Sequence, residues 1–218
     1  MSVKISVVMA SYLNEYDFSA TERVVKFHRA VTSFLNQNYA NKELIIVADG
    51  CYSTAEETVK NYFPQYSNII KLVQLEKQPM FSGNVRNVGC FHATGDIICY
   101  LDTDDMLGSN HLTVLAHYFQ TNPSIIWVYY DDYIIYRFHP ITREILNKEK
   151  RDVSLDYGSI GTSSIAHRKL PSINWVDCDG YGHDWDFIKN KLIDSGLPHI
   201  KIDGAEYDVC HIPNSVDS

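Results

Sequence analysis

The sequence predicts an α/β fold with a mostly parallel central sheet, flanking helices and an irregular second half. Short, mostly apolar runs, which are typical of strands buried on both faces, recur along the first 130 residues. Segments with apolar residues at a helical spacing separate these runs. Strands that alternate with helices form βαβ units, and such units build parallel sheets. We expect a single domain, residues 1–218, because a chain of 218 residues with 45% hydrophobic content suffices for one core.

The first half of the chain contains four predicted strands, which are residues 5–10, 43–48, 69–75 and 97–101. The predicted helices are residues 24–35, a short segment that ends before Pro64, residues 84–94 and residues 112–119. A capping box, in which Ser is followed three residues later by Glu, predicts the start of each of the first two helices. The two boxes are Ser19 with Glu22 and Ser53 with Glu56.

The second half of the chain is less regular. Residues 125–136 are rich in aromatic residues and predict either one strand or two strands with a bend. Residues 140–175 show no clear period, so no element is predicted there. Residues 184–195 are predicted to be helical, with Gly196 as the C-cap, and short strands are expected near Ile200 and Val209.

Composition and charge argue against several classes of protein. The 27 acidic and 19 basic residues give a net charge of −8, whereas nucleic-acid binders usually present a basic face, so no nucleic-acid partner is expected. The five cysteines form no CxxC pair, which argues against a zinc site or a disulfide framework. The apolar runs are too short for a signal peptide or a membrane span. We expect a cytoplasmic protein, and a peripheral contact with a membrane or a partner domain stays open.

Polar residues cluster where the predicted strands end. Residues 10–12 (ASY) close the first strand, and Glu15 lies close behind them. Asp49 closes the second strand, and residues 102–105 (DTDD) follow the fourth. The carboxyl ends of parallel strands meet at one edge of a sheet, which is where such folds bind ligands. Carboxylates that meet there repel one another unless a cation or hydrogen-bond donors compensate, so we expect a ligand site at this edge.

The acidic run after the fourth strand has two interpretations. Asp102 and Asp104 suit a hard divalent cation that also binds a diphosphate. Alternatively, Asp104, Asp105 or Ser109 caps the following helix. The position of the run directly after a wholly apolar strand favours the metal interpretation.

Other polar residues have structural alternatives as well. Asp49 with Gly50 is a common turn. Arg86, in residues 82–89 (SGNVRNVG), lies early in a predicted helix, where a solvated face is its ordinary environment. Asp184 is placed to cap the helix that begins there, and a histidine such as His211 is often a surface or packing residue.

Four segments, in their order and spacing, resemble the family 2 glycosyltransferases of GT-A fold. The segments are ISVVMASYLNE, IIVADGCYS, SGNVRNVGCFHATGDIICYLDTDD and GHDWDF. The most specific part is residues 86–105, which resemble the family pattern RN-x-G, A-x-G-D and LD-x-DD. The resemblance implies a GT-A fold with a nucleotide-sugar half, residues 1–105, and an acceptor half with the catalytic base, residues 106–218.

The resemblance also implies roles for individual residues. The nucleotide sugar would contact residues at the strand ends and an arginine of the third helix: Ala10, Ser11, Tyr12, Glu15, Asp49, Arg86, Asp102 and Thr103. Asp104 and His211 would bind Mn²⁺ or Mg²⁺ at the diphosphate. Asp184, in GHDWDF, would be the catalytic base of an inverting transfer. His183 and Ala48 stand where the family usually has acidic residues, and His183 puts the acceptor specificity in question.

The expected activity is the transfer of a sugar from a nucleotide-diphosphate sugar, with UDP as the expected nucleotide, to a hydroxyl of a saccharide or glycolipid. A metal-dependent nucleotidyltransferase is one alternative. That class needs a basic residue in a glycine-rich first loop to hold a triphosphate, and residues 10–16 contain neither glycine nor lysine. A catalytically silent module that binds carbohydrate or nucleotide is the other alternative, and Asp184 is the feature that separates it from the enzyme.

Overall fold

The computed structural model of the chain describes residues 2–16, 19–77, 82–139, 141–175 and 182–210. The strands are β1 (Ile5–Ser11), β2 (Lys42–Ala48), β3 (Ile70–Gln74), β4 (Ile97–Tyr100), β5 (Met106–Leu107), β6 (Trp127–Tyr130), β7 (Asp132–Phe138), β8 (Ile145–Arg151), β9 (Ile165–Arg168), β10 (His199–Ile202) and β11 (Tyr207–Val209). The helices are α1 (Arg23–Leu35), α2 (Tyr52–Asn61), α3 (Phe63–Tyr66), α4 (Ser82–His92), α5 (His111–Thr121) and α6 (His183–Phe187). A 3₁₀ turn (Thr162–Ser164) precedes β9, and a π-helical segment (Ile188–Ile193) follows α6.

The central sheet has the strand order β10-β6-β9-β4-β1-β2-β3. The pairs β4–β1, β1–β2 and β2–β3 are parallel, and so is the pair β10–β6. β9 is antiparallel to both of its neighbours, β4 and β6. The predicted α/β fold with a mostly parallel sheet is therefore confirmed, and the carboxyl ends of β1, β2 and β4 lie at one edge.

Helices pack on both faces of this sheet because the side chains of each strand alternate. On β1, Val7 and Met9 belong to the apolar core that includes residues of α1 and α5. Val8, between them, belongs to the core on the other face, with residues of α4 and α6. The apolar side chains of β1 are thus used in two cores, and polar residues begin where the strand ends.

A smaller sheet, with the order β5-β11-β7-β8, lies beside the first. β11 pairs with β5 in the antiparallel sense and with β7 in the parallel sense, and β7 and β8 form an antiparallel hairpin. Because β4 belongs to the large sheet and β5 to the small one, residues 102–105 connect the two sheets. Hereafter these four residues are called the acidic loop.

The two predicted capping boxes are wrong. Glu22, which precedes α1, has a left-handed backbone (φ 48°), and no side chain caps this helix. The Ser19 hydroxyl instead accepts a hydrogen bond from the backbone nitrogen of Tyr16 at 3.3 Å. Ser53 lies inside α2, whose N-cap is Cys51. Neither four-residue pattern therefore caps its helix.

The second half contains elements that the sequence pattern does not predict. Residues 125–136 form two strands, β6 and β7, which agrees with the alternative of two strands and a bend. The region 140–175 contains β8, the 3₁₀ turn and β9. β9 has only four residues and takes its position from pairing with β4 and β6, so it has no period of its own to detect.

Two further findings concern the described ranges as a whole. No helix there has the length and apolar character needed to cross a bilayer. Cys51, Cys90, Cys99 and Cys210 are free thiols, while Cys178 lies outside the described residues.

Candidate functional site

A cavity of about 590 Å³ opens at the carboxyl edge of β1, β2 and β4. Its wall includes most of the residues singled out in the sequence and several others: Ala10, Ser11, Tyr12, Tyr16, Arg23, Asp49, Ser82, Val85, Arg86, Asp102, Thr103, Asp104, Gly182, His183 and Asp184. Glu15 does not line the cavity. The buried Leu13 packs into the core at this point, and Glu15 is exposed beyond it. His211 lies outside the described residues, so its metal role stays a prediction.

Asp49 follows β2 and is 8% exposed. Lys77, which follows β3, forms an ion pair with Asp49 Oδ2, and its ammonium lies 5.0 Å from the ring centre of Tyr12. The other oxygen, Oδ1, is buried and has no hydrogen-bond partner within the described ranges. A buried carboxylate oxygen without a hydrogen-bond donor costs free energy, so this atom is suited to accept a hydrogen bond from a ligand.

The Asp49–Gly50 turn has a steric cause. Gly50 has φ +63°, a conformation that residues with a side chain rarely adopt. A Cβ atom at this position would lie 2.3 Å from the Cβ of Lys77. The glycine therefore allows Lys77 to approach the carboxylate, and the turn belongs to the site.

Arg86 lies on α4, and its side chain is only 6% exposed, which contradicts the alternative of a solvated helix face. Its Nη2 donates to Asp102 Oδ1 at 2.8 Å, and its Nη1 donates to Asp184 Oδ1 at 3.2 Å. The guanidinium carbon lies 4.8 Å from the ring centre of Trp175. The next residue, Asn87, holds that tryptophan by exchanging two hydrogen bonds with its backbone, at 3.0 and 2.7 Å.

Asp184 does not cap the helix that contains it. The N-cap of α6 is Gly182, with φ +117°, and no side chain caps this helix. Asp184 Oδ2 accepts hydrogen bonds from the backbone nitrogen of Thr162 at 3.2 Å and from its hydroxyl at 3.0 Å. The cap alternative is therefore wrong, and the carboxylate joins α6 to the 3₁₀ turn.

The charge state of Asp184 follows from these contacts. Burial alone would raise the pKa of the carboxyl. The Arg86 guanidinium, the imidazole of His183 and the Thr162 nitrogen outweigh burial and hold the pKa of Asp184 well below its usual range. The carboxylate is thus ionised at neutral pH, with its orientation fixed from three sides.

His183 stands beside Asp184, with Nε2 at 3.1 Å from Asp184 Oδ1. The same nitrogen lies 2.8 Å from the Ser82 hydroxyl and 3.3 Å from Arg86 Nη1. At the position where the resemblance implies a second carboxylate, this chain has an imidazole that contacts Ser82 and Arg86 of α4. The role of each nitrogen as donor or acceptor depends on the tautomer.

Two acidic residues of the acidic loop line the cavity, and a third is buried. Asp102 and Asp104 line the cavity, whereas Asp105 is 5% exposed. Burial, together with the nearby charges of Asp104 and Asp102, raises the pKa of Asp105 well above its usual range. The N-cap of α5 is Asn110, and no side chain caps that helix. The alternative in which the acidic residues or Ser109 cap α5 is therefore wrong.

The acidic side chains at the cavity can be compared with the ligands that a divalent cation requires. Within the described ranges, no group of three or more His, Cys, Asp and Glu side chains is arranged to hold a metal. Mg²⁺ at nucleotide sites commonly uses one or two carboxylates, and phosphate oxygens and water complete its coordination. Asp102 and Asp104 therefore fit a cation that arrives with a diphosphate, and not a site built from protein ligands alone.

Sequence reasoning missed Lys77, Thr162 and the part played by Ser82. Lys77 had a detectable signal, because it follows a predicted parallel strand at the edge where ligands bind. Thr162 had none, since it lies in the stretch without a period and reaches Asp184 only through the tertiary fold.

The sequence is similar to those of known glycosyltransferases. Residues 19–168 match the family model described as Glycosyl transferase family 2. The poly(ribitol-phosphate) beta-N-acetylglucosaminyltransferase TarP of Staphylococcus aureus is 29% identical over 123 residues, which are 56% of this chain and 34% of TarP. The putative glycosyltransferase EpsE of Bacillus subtilis is 32% identical over 104 residues, which are 47% of this chain and 34% of EpsE. The chain thus spans about a third of the length of these curated relatives.

Solved structures show the same fold. The crystal structure of S. aureus TarS 1-349 superposes with a TM-score of 0.65 at 16% identity and covers 94% of this chain and 60% of that chain. The structure of TarS 1-349 in complex with UDP-GlcNAc also gives a TM-score of 0.65 and covers 98% of this chain. This likeness confirms the predicted GT-A fold. With a family model that matches most of its length, the chain belongs to glycosyl transferase family 2.

Proposed function

We propose that this chain transfers a sugar from a UDP-sugar to a hydroxyl group of a saccharide or glycolipid, with inversion at the anomeric carbon. The observation that carries the proposal is that one cavity joins Asp49, the acidic loop and Asp184. Residues 1–105 would bind the nucleotide sugar, and residues 106–218 would supply the base and the acceptor side.

The nucleotide site is supported by the unsatisfied oxygen of Asp49. Its Oδ1 needs a hydrogen-bond donor, and the N3–H of uracil is such a donor. One of the two carbonyl groups that flank N3 would accept a hydrogen bond from the ammonium of Lys77, which lies beside Asp49 Oδ2. Tyr12 would contact the ring, and further contacts to the nucleotide sugar would come from Ala10, Ser11, Arg86, Asp102 and Thr103.

The diphosphate would bind at the acidic loop. Asp104 and Asp102 would hold Mn²⁺ or Mg²⁺, which when bound would offset the negative charge that grows on the leaving diphosphate. Arg86 is a fixed cation at the same place, already paired with Asp102 at 2.8 Å. Without cations nearby, these carboxylates would repel a diphosphate, so cationic partners are required here.

Asp184 would act as the proton acceptor. The acceptor oxygen forms a bond with the anomeric carbon, the bond between that carbon and the phosphate oxygen breaks with its electrons remaining on UDP, and the hydroxyl proton passes to Asp184. The carboxylate is ionised at neutral pH because Arg86 lowers its pKa. Thr162 holds its Oδ2 in one orientation, as a base that must meet an incoming hydroxyl requires.

The choice of donor for a first test comes from the relatives. TarP is named as an N-acetylglucosaminyltransferase, and TarS has been solved with UDP-GlcNAc. UDP-GlcNAc is therefore the first donor to test. We also propose that the reaction takes place in the cytoplasm, with peripheral contact at a membrane where the acceptor is a glycolipid.

The test of the nucleotide site compares two acids. Asp49→Ala should weaken the binding of UDP in the presence of Mn²⁺ by about tenfold to a hundredfold, because a charge-assisted hydrogen bond worth roughly 1.5–3 kcal/mol is lost. Glu56→Ala, which removes an exposed acid of α2 outside the cavity wall, is the matched control and should bind UDP as the wild type does. Calorimetry measures both, and equal losses in the two variants would refute the assignment of the base site.

The enzyme is distinguished from a silent binding module by release of UDP. The purified chain is incubated with UDP-GlcNAc and Mn²⁺, with and without saccharide acceptors, and free UDP is measured. Release above the protein-free rate supports the transferase. Tight UDP binding with no release in any condition would favour the binding module.

A further inference from the structure

The acidic loop is held from the side opposite the cavity. Tyr207, at the start of β11, accepts a hydrogen bond on its hydroxyl from the backbone nitrogen of Asp102 at 3.1 Å. The same hydroxyl donates to Asp105 Oδ2 at 3.0 Å. The other oxygen of Asp105 accepts from the backbone nitrogen of Cys210 at 2.8 Å. One buried carboxylate thus fixes both the tyrosine and the end of β11.

A second contact fixes the middle of the loop. Arg29, on α1, donates to the backbone carbonyl of Asp104, and its guanidinium carbon lies 4.8 Å from the ring centre of Phe138. The backbone of the loop is therefore tied at Asp102 to the small sheet and at Asp104 to α1. Both contacts reach the two acidic residues that line the cavity.

Neither Tyr207 nor Asp105 can touch a substrate. Tyr207 is 1% exposed and Asp105 is 5% exposed, and neither lines the cavity. β11 is held in turn by pairing with β5, where Tyr207 lies opposite Leu107. The tyrosine is thus held by strand pairing and by two hydrogen bonds of its hydroxyl.

We propose that Tyr207 is a positioning residue: its hydroxyl, oriented by Asp105, places the carboxylates of Asp102 and Asp104 for the cation and the diphosphate. This inference rests on the proposed function and deepens it. Groups that orient metal ligands from behind commonly change metal affinity by tenfold to a hundredfold when they are removed. The small sheet would then serve as the support of the acidic loop.

The test removes one hydroxyl. Tyr207→Phe keeps the ring and its packing, and it removes both the acceptor for Asp102 and the donor to Asp105. Mn²⁺ is titrated into protein saturated with UDP, and UDP is titrated separately into protein with a chelator. We expect Mn²⁺ to bind about tenfold to a hundredfold more weakly to the variant. UDP binding in the chelator should be unchanged.

Tyr130→Phe is the matched control. Tyr130 is also 1% exposed, and its hydroxyl donates to the backbone carbonyl of Ile165 at 3.1 Å and not to the acidic loop. It should lose comparable stability to urea and keep the affinity for Mn²⁺. Asp105→Asn is a second variant for the proposed role. Its amide oxygen can still accept from Cys210 but its nitrogen cannot accept from Tyr207, so it should also weaken Mn²⁺ binding.

The outcomes separate this inference from the proposed function. The positioning role would be overturned if Tyr207→Phe or Asp105→Asn binds Mn²⁺ as tightly as the wild type and loses only as much stability as Tyr130→Phe. The proposed function would remain intact. A different result would overturn the metal-dependent part of the proposed function: the wild type would bind UDP equally tightly with Mn²⁺ and with chelator. The positioning role would then fall with it.

Discussion

Arg86 connects the two acidic parts of the cavity. A guanidinium that is 6% exposed would be costly to bury alone, and here it faces the carboxylates of Asp102 and Asp184. Although burial disfavours the charged form, the two carboxylates dominate and raise the pKa of Arg86. Removing one of the two acids therefore leaves the guanidinium with a remaining charged partner, which makes substitutions at position 184 informative.

Asp184→Asn tests the proposed base. The amide keeps the shape of the side chain and can still accept from Thr162, and Arg86 keeps its ion pair with Asp102. Folding and UDP binding should be nearly unchanged, because the nucleotide contacts lie elsewhere. Turnover should fall by about two to four orders of magnitude, the usual scale for a lost general base. The measurement is initial rates of UDP release at saturating donor.

Asp186→Asn is the control for this variant. Asp186 lies on the same helix, two residues further on, and does not line the cavity. It should keep the wild-type turnover. An Asp184→Asn enzyme with the wild-type rate, or a product that retains the anomeric configuration by NMR, would remove Asp184 from the mechanism.

At the scale of elements, α4 positions Arg86 by packing directly on the central sheet. Gly89 faces the sheet at a point where a Cβ atom would lie 2.4 Å from Val8 Cγ1 and 3.2 Å from Val47 Cγ2. Because glycine occupies this position, the helix axis can approach the strands closely. The family pattern RN-x-G thus contains both the arginine that enters the site and the glycine that allows α4 to pack closely enough for this arginine to reach the site.

Gly89→Ala should destabilise the protein even though alanine favours helices. Alanine in place of glycine gains about 1 kcal/mol of helix propensity. The added methyl overpacks two buried valines, which typically costs about 1–3 kcal/mol. We expect a net loss of about 1 kcal/mol in the free energy of unfolding by urea, together with weaker UDP binding as Arg86 is displaced.

His92→Ala, an exposed substitution on the same helix, is the control and should change the free energy of unfolding by less than about 0.5 kcal/mol. A Gly89→Ala protein that is more stable than the wild type would show that propensity outweighs the packing at this position.

The elements that line the donor side were predictable because each carries its own pattern. β1, β2 and β4 are mostly apolar, and Asp49 and the acidic loop follow β2 and β4, so sequence alone placed these residues at one edge. Thr162 and Tyr207 were not predictable, because their roles depend on hydrogen bonds to residues more than 20 positions away. The burial of Asp105 likewise arises from the small sheet, whose strands lack a clear period.

At the scale of the whole molecule, each of the two cores buries a neutral histidine. His111 is 0% exposed; its Nδ1 lies 2.8 Å from the carbonyl of Glu206, and its Nε2 lies near the hydroxyl of Tyr130. His167 is 1% exposed, with Nδ1 at 2.9 Å from the carbonyl of Arg168 and Nε2 at 2.8 Å from the hydroxyl of Tyr100. Burial lowers the pKa of each histidine from 6.5 to about 4.

These shifts have a defined sign. A histidine that is neutral when folded and has its ordinary pKa when unfolded binds more protons in the unfolded chain between pH 6.5 and 4. Its contribution to stability is fully present above pH 6.5 and is lost as the pH falls toward 4. The buried Asp105 has a raised pKa and therefore affects the pH dependence of stability in the opposite direction. The change in the free energy of unfolding with pH for the whole protein is the sum of both effects.

The contribution of His167 can therefore be isolated by a difference between variants. His167→Gln removes the titrating group while its amide can still hydrogen-bond Tyr100, so its free energy of unfolding should fall less steeply on acidification than that of the wild type. The two slopes should differ by up to about 1.4 kcal/mol per pH unit. Urea unfolding at pH 7, 6 and 5 measures both slopes, and His117→Gln, an exposed control, should parallel the wild type. Because the pKa of Asp184 is lowered, its carboxylate stays ionised between pH 7 and 5. A loss of turnover between these pH values should therefore follow the loss of folded protein. If His167→Gln runs parallel to the wild type, the buried histidine is not the group that titrates.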